Sequence, residues 1–341
     1  MTLRAFTFLL ACLFSLPLFA DELIVEPDAG RAPVLQFINQ TQHQLNLVMY
    51  DFTDKTLLNA LLQAQAQGKT IHIILEKSPY KNESLNVSTM AVMHENKLNF
   101  HEGARDFQYT HQKTMTQDNQ KAMVMTFNFT LSSFKDQRNF AVVINNPELV
   151  QEINQTFNAD WQEKPYISNN ASLLFSPNTS RRGYRNAINA AKTSIDFYAQ
   201  TVADPYIIQS LVNKANQGVS VRIITSKLPK SKALTQASVQ IHLSKKLYIH
   251  AKAMLIDNNT AIIGSVNFTP TSLDRNRELA LLTHDHAVTE KLLATFNQDW
   301  GGVVSQNKKQ NTPSTKAIIQ QFVAFLSNQH TKRHSHHRRS T

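Results

Sequence analysis

The sequence predicts an α/β protein built from two copies of one half, and three observations carry that prediction. A His-x-Lys-x4-Asp spacing occurs at His250, Lys252 and Asp257, and again 139 positions earlier at His111, Lys113 and Asp118. Each copy is followed by Asn-Phe-Thr, beginning at Asn128 and Asn267 with the same offset of 139. Each copy also closes on a shared ending, Thr156 to Trp161 and Thr295 to Trp300, again 139 apart.

The chain of 341 residues opens with Arg4 and an apolar run from Ala5 to Ala20, followed by Asp21 and Glu22. A basic start, a short apolar stretch and a small residue before polar sequence describe a cleaved secretory leader, residues 1–20. The expected location is therefore secreted or periplasmic. Cys12 is the only cysteine, so the chain after cleavage has no thiol; disulfides and thiol catalysis are excluded.

The body follows as a first half, residues 21–165, and a second, residues 166–302. In the first, Gln44 to Tyr50 reads as a strand, Lys55 to Gln67 as an amphipathic helix stopped by Gly68, and Thr70 to Leu75 as a strand. In the second, Ser194 to Tyr198, Pro205 to Gln217, Gly218 and Val219 to Ile224 repeat the order. Strand, Gly-ended helix and strand imply a parallel pair and an α/β layer. Gly68 and Gly218 are 150 apart while the histidines are 139 apart, so the first half carries eleven extra residues, placed between Ser78 and Lys97. Tyr248 to Asp257 reads as one strand, Asp257 to Asn259 as a turn and Thr260 to Ser265 as its partner. Helices from Pro147 to Lys164 and from Ala287 to Trp300 close the halves.

The net charge of +10 belongs mostly to residues 303–341, which hold seven Lys or Arg and no Asp or Glu. With Arg4 lost in the leader, the body keeps +2, so the basic balance does not mark the body as a tracker of nucleic acid. Lys316 to Leu326 carries an apolar stripe at helical spacing ahead of Lys332, Arg333, Arg338 and Arg339. This reads as a basic C-terminal helix and tail, whose apolar stripe either lies on an anionic bilayer surface or packs on the body and leaves only the end solvated.

Side chains two apart on a strand share a face, so each His and its Lys project together. An imidazole, an ammonium and an amide converging on one point suit a phosphate, as nucleophile or proton carrier beside two donors. A lone His near a Lys is ordinarily a solvated strand face; two such sets in register argue for a site.

These motifs resemble those of the phospholipase D superfamily, whose mark is two such His-x-Lys-x4-Asp segments, and the resemblance covers nearly all of the chain between leader and tail. It implies two pseudo-symmetric α/β/α halves with mixed sheets packed face to face. It also implies one shared site, with no cofactor and no metal. The candidate catalytic residues are His111, Lys113, Asp118, Asn128, His250, Lys252, Asp257, Ser265, Asn267 and Glu278. Asp118 and Asp257 are expected to be supporting rather than proton donors. The second half has the full Gly264-Ser265-x-Asn267, where the first has Met125-Thr126-x-Asn128. Glu278 matches a position where relatives carry a histidine-orienting acid, and its counterpart here is Asn139. If the acids reach across the halves, Glu278 holds His111 and His111 is the nucleophile; a local pairing reverses this. The function implied is a secreted phospholipase D, hydrolysing or transferring a phosphatidyl group through a phosphohistidine. The alternative is a secreted nuclease, and a binding protein with a relict site is the third class. Partners are a phospholipid or membrane surface, with nucleic acid second, and the chain is expected to be a monomer.

Overall fold

Continuous burial along the central strands explains the layers. In the computed structural model, which describes residues 20–103 and 106–301, β1 (Glu22–Glu26) and α1 (Ala32–Gln40) precede β2 (Gln44–Met49), α2 (Lys55–Ala66) and β3 (Thr70–Leu75). Then come α3 (Val87–Glu95), β4 (Asn99–Glu102), β5 (Thr114–Gln117), β6 (Lys121–Met125), β7 (Gln137–Ile144) and α4 (Pro147–Trp161). The second half repeats this with β8 (Leu173–Ser176), α5 (Ser180–Ala190), β9 (Ser194–Ala199), α6 (Pro205–Asn216) and β10 (Ser220–Thr225). It continues with α7 (Lys232–Gln236), β11 (Val239–Leu243), β12 (Tyr248–Ile249), β13 (Lys252–Ile256) and β14 (Thr260–Gly264). A short α8 (Pro270–Asp274), β15 (Glu278–Thr283) and α9 (His286–Gly301) end it.

Both expected strand–helix–strand units form, and β2 with β3 and β9 with β10 pair in parallel. Their helices start alike: Asp54 accepts from the amides of Thr56 and Leu57, and Asp204 from those of Tyr206 and Ile207. Such a cap satisfies amides the helix itself leaves free. They stop alike too, at Gly68 (φ +85°) and Gly218 (φ +89°), a conformation that costs a side chain dearly. The extra residues of the first half fall mostly in the loop before α3 and in α3 itself, against the shorter loop and α7 of the second half. The strand-poor flanks (β1, β8) and the helices α1 and α5 lack a strong sequence signature and emerge only in the fold.

Each half is a mixed sheet. The first runs β1-β7-β6-β5-β2-β3-β4 and the second β11-β10-β9-β13-β14-β15-β8. Strands such as β6 are apolar on both faces because both faces are covered. Met123 and Met125 pack outward under α1 to α3, while Ala122 and Val124 face the second sheet. Phe140, Val142, Ile263, Leu279 and Leu281 meet in that central layer, joined by Val150 of α4 and Phe296 of α9. Helices α5, α6 and α7 cover the outer face of the second sheet. Burying side chains of this size stabilises by about 1.5–3 kcal/mol each, so the two sheets hold one another. The described residues up to Trp300 accordingly form one compact unit.

The repeat also clamps the halves reciprocally. Arg138 of β7 donates from Nε to Asp299 Oδ2 of α9 at 2.7 Å. In mirror image, Arg277 donates from Nε to Asp160 Oδ2 of α4 at 2.7 Å. The shared Asp-Trp endings thus supply the acceptors for arginines of the opposite half.

One sequence expectation needs correcting. Tyr248 to Asp257 is not a single strand: it breaks at His250 and Ala251. Tyr248 and Ile249 pair with Gln137 and Arg138 of the first sheet, and Lys252 onward joins the second. The amides of His250 and Ala251 both turn to the Arg138 carbonyl, which is why the chain bends there. In the first half, Thr110 bridges Arg277 and the His111 amide donates to the Arg277 carbonyl at 2.9 Å. Each motif therefore enters through the other half's sheet. The leader and the basic C-terminal helix fall outside the described residues; among the described ones, no helix is long and apolar enough to cross a membrane.

Candidate active site

The crossing of strands decides the partners of the two histidines. His111 follows a segment seated beside Arg277, so its ring meets the residue next to Arg277: Nδ1 lies 2.8 Å from Glu278 Oε2. His250 follows a segment seated beside Arg138, and its Nδ1 lies 2.9 Å from Asn139 Oδ1. Both contacts span the halves. Glu278 is fully buried and its other oxygen accepts from Asn276 Nδ2 at 3.0 Å and from the Ser272 hydroxyl. Asn139 Oδ1 accepts in addition from Thr126 Oγ1 at 2.8 Å, so the amide oxygen, not the amide nitrogen, faces His250.

Lys113 and Lys252 stand at the starts of β5 and β13, and each ammonium folds back on the carbonyl of its own motif histidine, at 2.7 and 2.5 Å. Lys252 Nζ is also 3.3 Å from His250 Nε2. Burial and mutual repulsion govern this cluster. Burial brings Lys113 down to about 8 against the pull of Glu278 and Asp51. Burial, then Lys113, hold Lys252 well below the usual lysine range. Burial lowers His111 to about 4, with Glu278 opposing. His250 falls well below the ordinary histidine value through burial and the nearby Lys252, Lys113 and His111. Burial pushes Glu278 up, but His111 and Lys113 outweigh it and keep it ionised. The resting site thus holds neutral imidazoles whose Nδ1–H groups are committed to Glu278 and Asn139, leaving the Nε2 lone pairs for chemistry, that of His250 facing Lys252 Nζ.

Asn128 donates from Nδ2 to Asp51 Oδ2 at 2.9 Å. The Asn267 amide donates to Ser272 Oγ at 2.8 Å, while its side-chain Oδ1 is buried without a partner. Three candidates stand outside the site. Asp118 accepts from the amides of Gln42, His43 and Gln44, and Asp257 from those of Lys192, Thr193 and Ser194. They sit at the far ends of β5 and β13 from the lysines, where they anchor the turns entering β2 and β9. Those amides hold Asp257 at about 2 although burial opposes it. Ser265 is fully buried and spends its hydroxyl on the Leu279 backbone, so it positions β15 and does not reach a phosphate. Gly264 belongs to the same device: a Cβ there would lie 2.2 Å from the Leu279 carbonyl oxygen.

The fold adds residues that spacing did not point to. Glu76 Oε2 accepts from the Thr110 amide at 2.7 Å, and its counterpart Ser226 accepts from the Ile249 amide at 2.7 Å; each steadies the backbone just before a motif histidine. Tyr50 packs edge-on to His111 with centroids 4.6 Å apart, and Lys113 Nζ lies 5.0 Å above its ring. Asp51 is raised to about 6, chiefly by burial, with Lys113 pulling against the rise and Glu76 adding to it. A cavity of about 630 Å³ opens on the His250 side, lined by Asp51, Thr53, Asn128, Gln200, Tyr248 and His250 among others. Among the described residues, no group of three or more His, Cys, Asp or Glu is arranged to hold a metal ion.

Two imidazoles, two lysines and two asparagines around one point can take a phosphodiester, attack it with one neutral imidazole and, once the bound anion has recharged the other, protonate its leaving oxygen from the opposite side. Comparison with known proteins supplies the family. The model of the family described as "Cardiolipin synthase, PLD-like domain" matches residues 34–161 and 184–300. The chain belongs to this phospholipase D-like family.

Among its relatives, the phospholipase D of Rickettsia conorii is 32% identical over 122 residues, which cover 34% of this chain and 59% of the relative. The minor cardiolipin synthase ClsB of Bacillus subtilis is 34% identical over 116 residues, 29% of each chain. The mitochondrial cardiolipin hydrolase of Homo sapiens is 29% identical over 121 residues, 33% of this chain and 48% of that one. The chain thus spans about three fifths of the first relative's length and less of the other two. Two solved structures share the fold at low identity. The phosphatidylserine synthase of Haemophilus influenzae has a TM-score of 0.64 at 11% identity, covering 92% of this chain and 95% of that one. The polyphosphate kinase of Porphyromonas gingivalis has a TM-score of 0.67 at 15% identity, covering 87% and 50%.

Proposed function

We propose that the protein is a secreted or periplasmic phospholipase D-type phosphodiesterase, acting as a monomer on the phosphatidyl group of phospholipids. The observation that carries the reaction is the unequal support of the two histidines, Glu278 at His111 and Asn139 at His250. A buried carboxylate fixes the His111 tautomer and stabilises the cation that forms when its Nε2 bonds to phosphorus. As that bond forms, the phosphorus–oxygen bond to the head group breaks, and His250, which takes up a proton at Nε2 when the anionic diester binds beside it, gives that proton to the leaving oxygen. His250, held only by a neutral amide, is the stronger acid of the two. It then takes a proton from water or an alcohol, whose oxygen displaces His111 and releases phosphatidate or the transfer product. Lys113, Lys252, Asn128 and Asn267 hold the non-bridging oxygens as charge develops. The cavity on the His250 side, walled by amides and hydroxyls with Asp51, Lys135 and Asp136 and by Leu85 and Leu131, suits a polar head group leaving and a water or alcohol entering.

The test is turnover of mixed phospholipid vesicles and, separately, of DNA, by the wild type and by His111→Ala and His250→Ala. Both variants are expected to lose activity on lipid. Cleavage of DNA with lipid untouched would overturn the substrate. Either variant keeping more than about a tenth of the wild-type rate, about 1.4 kcal/mol in barrier, would overturn the shared site.

A further inference from the structure

The segment that leads to His250 is charged quite unlike its counterpart in the first half. Residues 226–251 contain Lys227, Lys230, Lys232, Lys245 and Lys246 and no Asp or Glu; the corresponding residues 76–112 carry four basic and five acidic side chains. All five lysines are exposed. Between them stand Leu228, 60% exposed, with Leu243 and Tyr248 at 39% each. Leu228 occupies the tip of the loop leaving β10, where nothing in the packing of the body requires an apolar residue.

This is one surface, not scattered residues. The Ser244 amide donates to the Thr225 carbonyl at 2.9 Å, Thr225 Oγ1 to the Lys227 carbonyl at 3.1 Å, and the Ile249 amide to Ser226 Oγ at 2.7 Å. Those bonds tie the loop after β10 to the loop after β11. Tyr248, at its inner edge, also lines the cavity beside His250.

We propose that this face is the surface on which the protein sits on an anionic lipid bilayer, with Leu228 entering the headgroup layer and the lysines facing the lipid phosphates. Exposed leucines among lysines match an interface that is apolar below and anionic above. A nucleic acid would be gripped by guanidinium forks and several stacking rings as well as by lysines, whereas this segment has no Arg and offers Tyr248 as its one exposed ring, beside two exposed leucines. Seated this way, the cavity beside His250 opens toward the headgroups. The proposal rests on the phospholipid reading above.

The test uses the full chain and a variant carrying Leu228→Ser, Lys230→Gln, Lys245→Gln and Lys246→Gln, all outside the catalytic set. Co-sedimentation is measured with phosphatidylcholine vesicles with and without phosphatidylglycerol, alongside binding to duplex DNA and turnover of bis(p-nitrophenyl) phosphate. The wild type is expected to bind the anionic vesicles in a salt-sensitive way. The variant should bind them about tenfold or more weakly while keeping its rate on the soluble diester. Unchanged vesicle binding overturns the proposal, as does a variant that loses DNA binding alone. If the soluble rate and the melting temperature fall together, Leu228→Ser with Lys230→Gln, confined to the loop tip, decides by the same criteria. Vesicle binding lost by the variant of a protein that cleaves no phospholipid would keep the surface and remove the substrate reading.

Discussion

The Nδ1 of His250 rests 2.9 Å from the amide oxygen of Asn139, at the position where the other half presents Glu278 to His111 at 2.8 Å. A repeat that otherwise preserves its site has exchanged a carboxylate for an amide at one histidine. Asn139→Asp should raise the affinity of His250 for its proton. The alkaline limb of kcat, which reports the enzyme–substrate complex, should then move up by about one pH unit. A pH profile of kcat that does not move would show that this contact leaves the His250 proton alone.

Glu278→Gln keeps the size of the side chain but removes the charge behind the nucleophile. The expected loss in kcat is about 10²–10⁴-fold, the range for losing the orienting acid of a catalytic histidine. Acid-quenched His250→Ala should carry a phosphoryl label on His111. Label on His250 in the His111→Ala protein would reverse the assignment.

The free enzyme needs His111 neutral and Lys113 charged. His111 lies at about 4 and Lys113 at about 8, so kcat/KM should fall as pH drops through the first and as it rises through the second. Lys252 is held well below its ordinary range by burial and by Lys113, and an anion would recharge it. Calorimetry of a phosphate analogue in buffers of different ionisation heat should therefore show net proton uptake near pH 8. Binding without proton exchange would contradict the crowding of these two lysines.

Asp51 contributes to the site at the expense of the fold. Its folded value, about 6, stands above the ordinary 3.8, so its ionised form is disfavoured in the native state. The native state therefore loses stability as pH rises from about 4 to about 6. Asp51→Asn should stabilise the protein at pH 7 by about 1–2 kcal/mol, allowing for partial exposure, and by nothing below pH 4. Melting temperatures at the two pH values test this, with a fall in turnover as the accompanying loss. An equal shift at both would mean that the effect is not one of charge.

Arg277→Met should leave Asp160 buried without its cation and cost about 3–5 kcal/mol in unfolding free energy. Adding Asp160→Leu should recover most of that, because an apolar pair is no worse than a buried ion pair. Denaturant titration of the single and double variants measures both; a double variant as unstable as the single would place the loss in packing on Phe107 and Phe175, over which the guanidinium lies.

By itself the sequence determined the repeat, the strand–helix–strand units, the helix stops at Gly68 and Gly218 and the pairing of each motif His with its Lys. These follow from local periodicity and from offsets that survive in one dimension. Tertiary structure decided who faces whom. The repeat admits both a local and a crossed partner for each histidine, and only the seating of the segment before each motif on the opposite half, Ile249 beside Arg138 and Thr110 beside Arg277, selects the crossed one. Spacing grouped Asp118 and Asp257 with the site, but five strand residues extend about 16 Å, so they lie at the other end and hold turns. Asp51 and Glu76 were illegible for the converse reason. Their burial, and the lysines that act on Asp51, come from segments far apart in the chain, and only packing the two sheets together makes them part of one site.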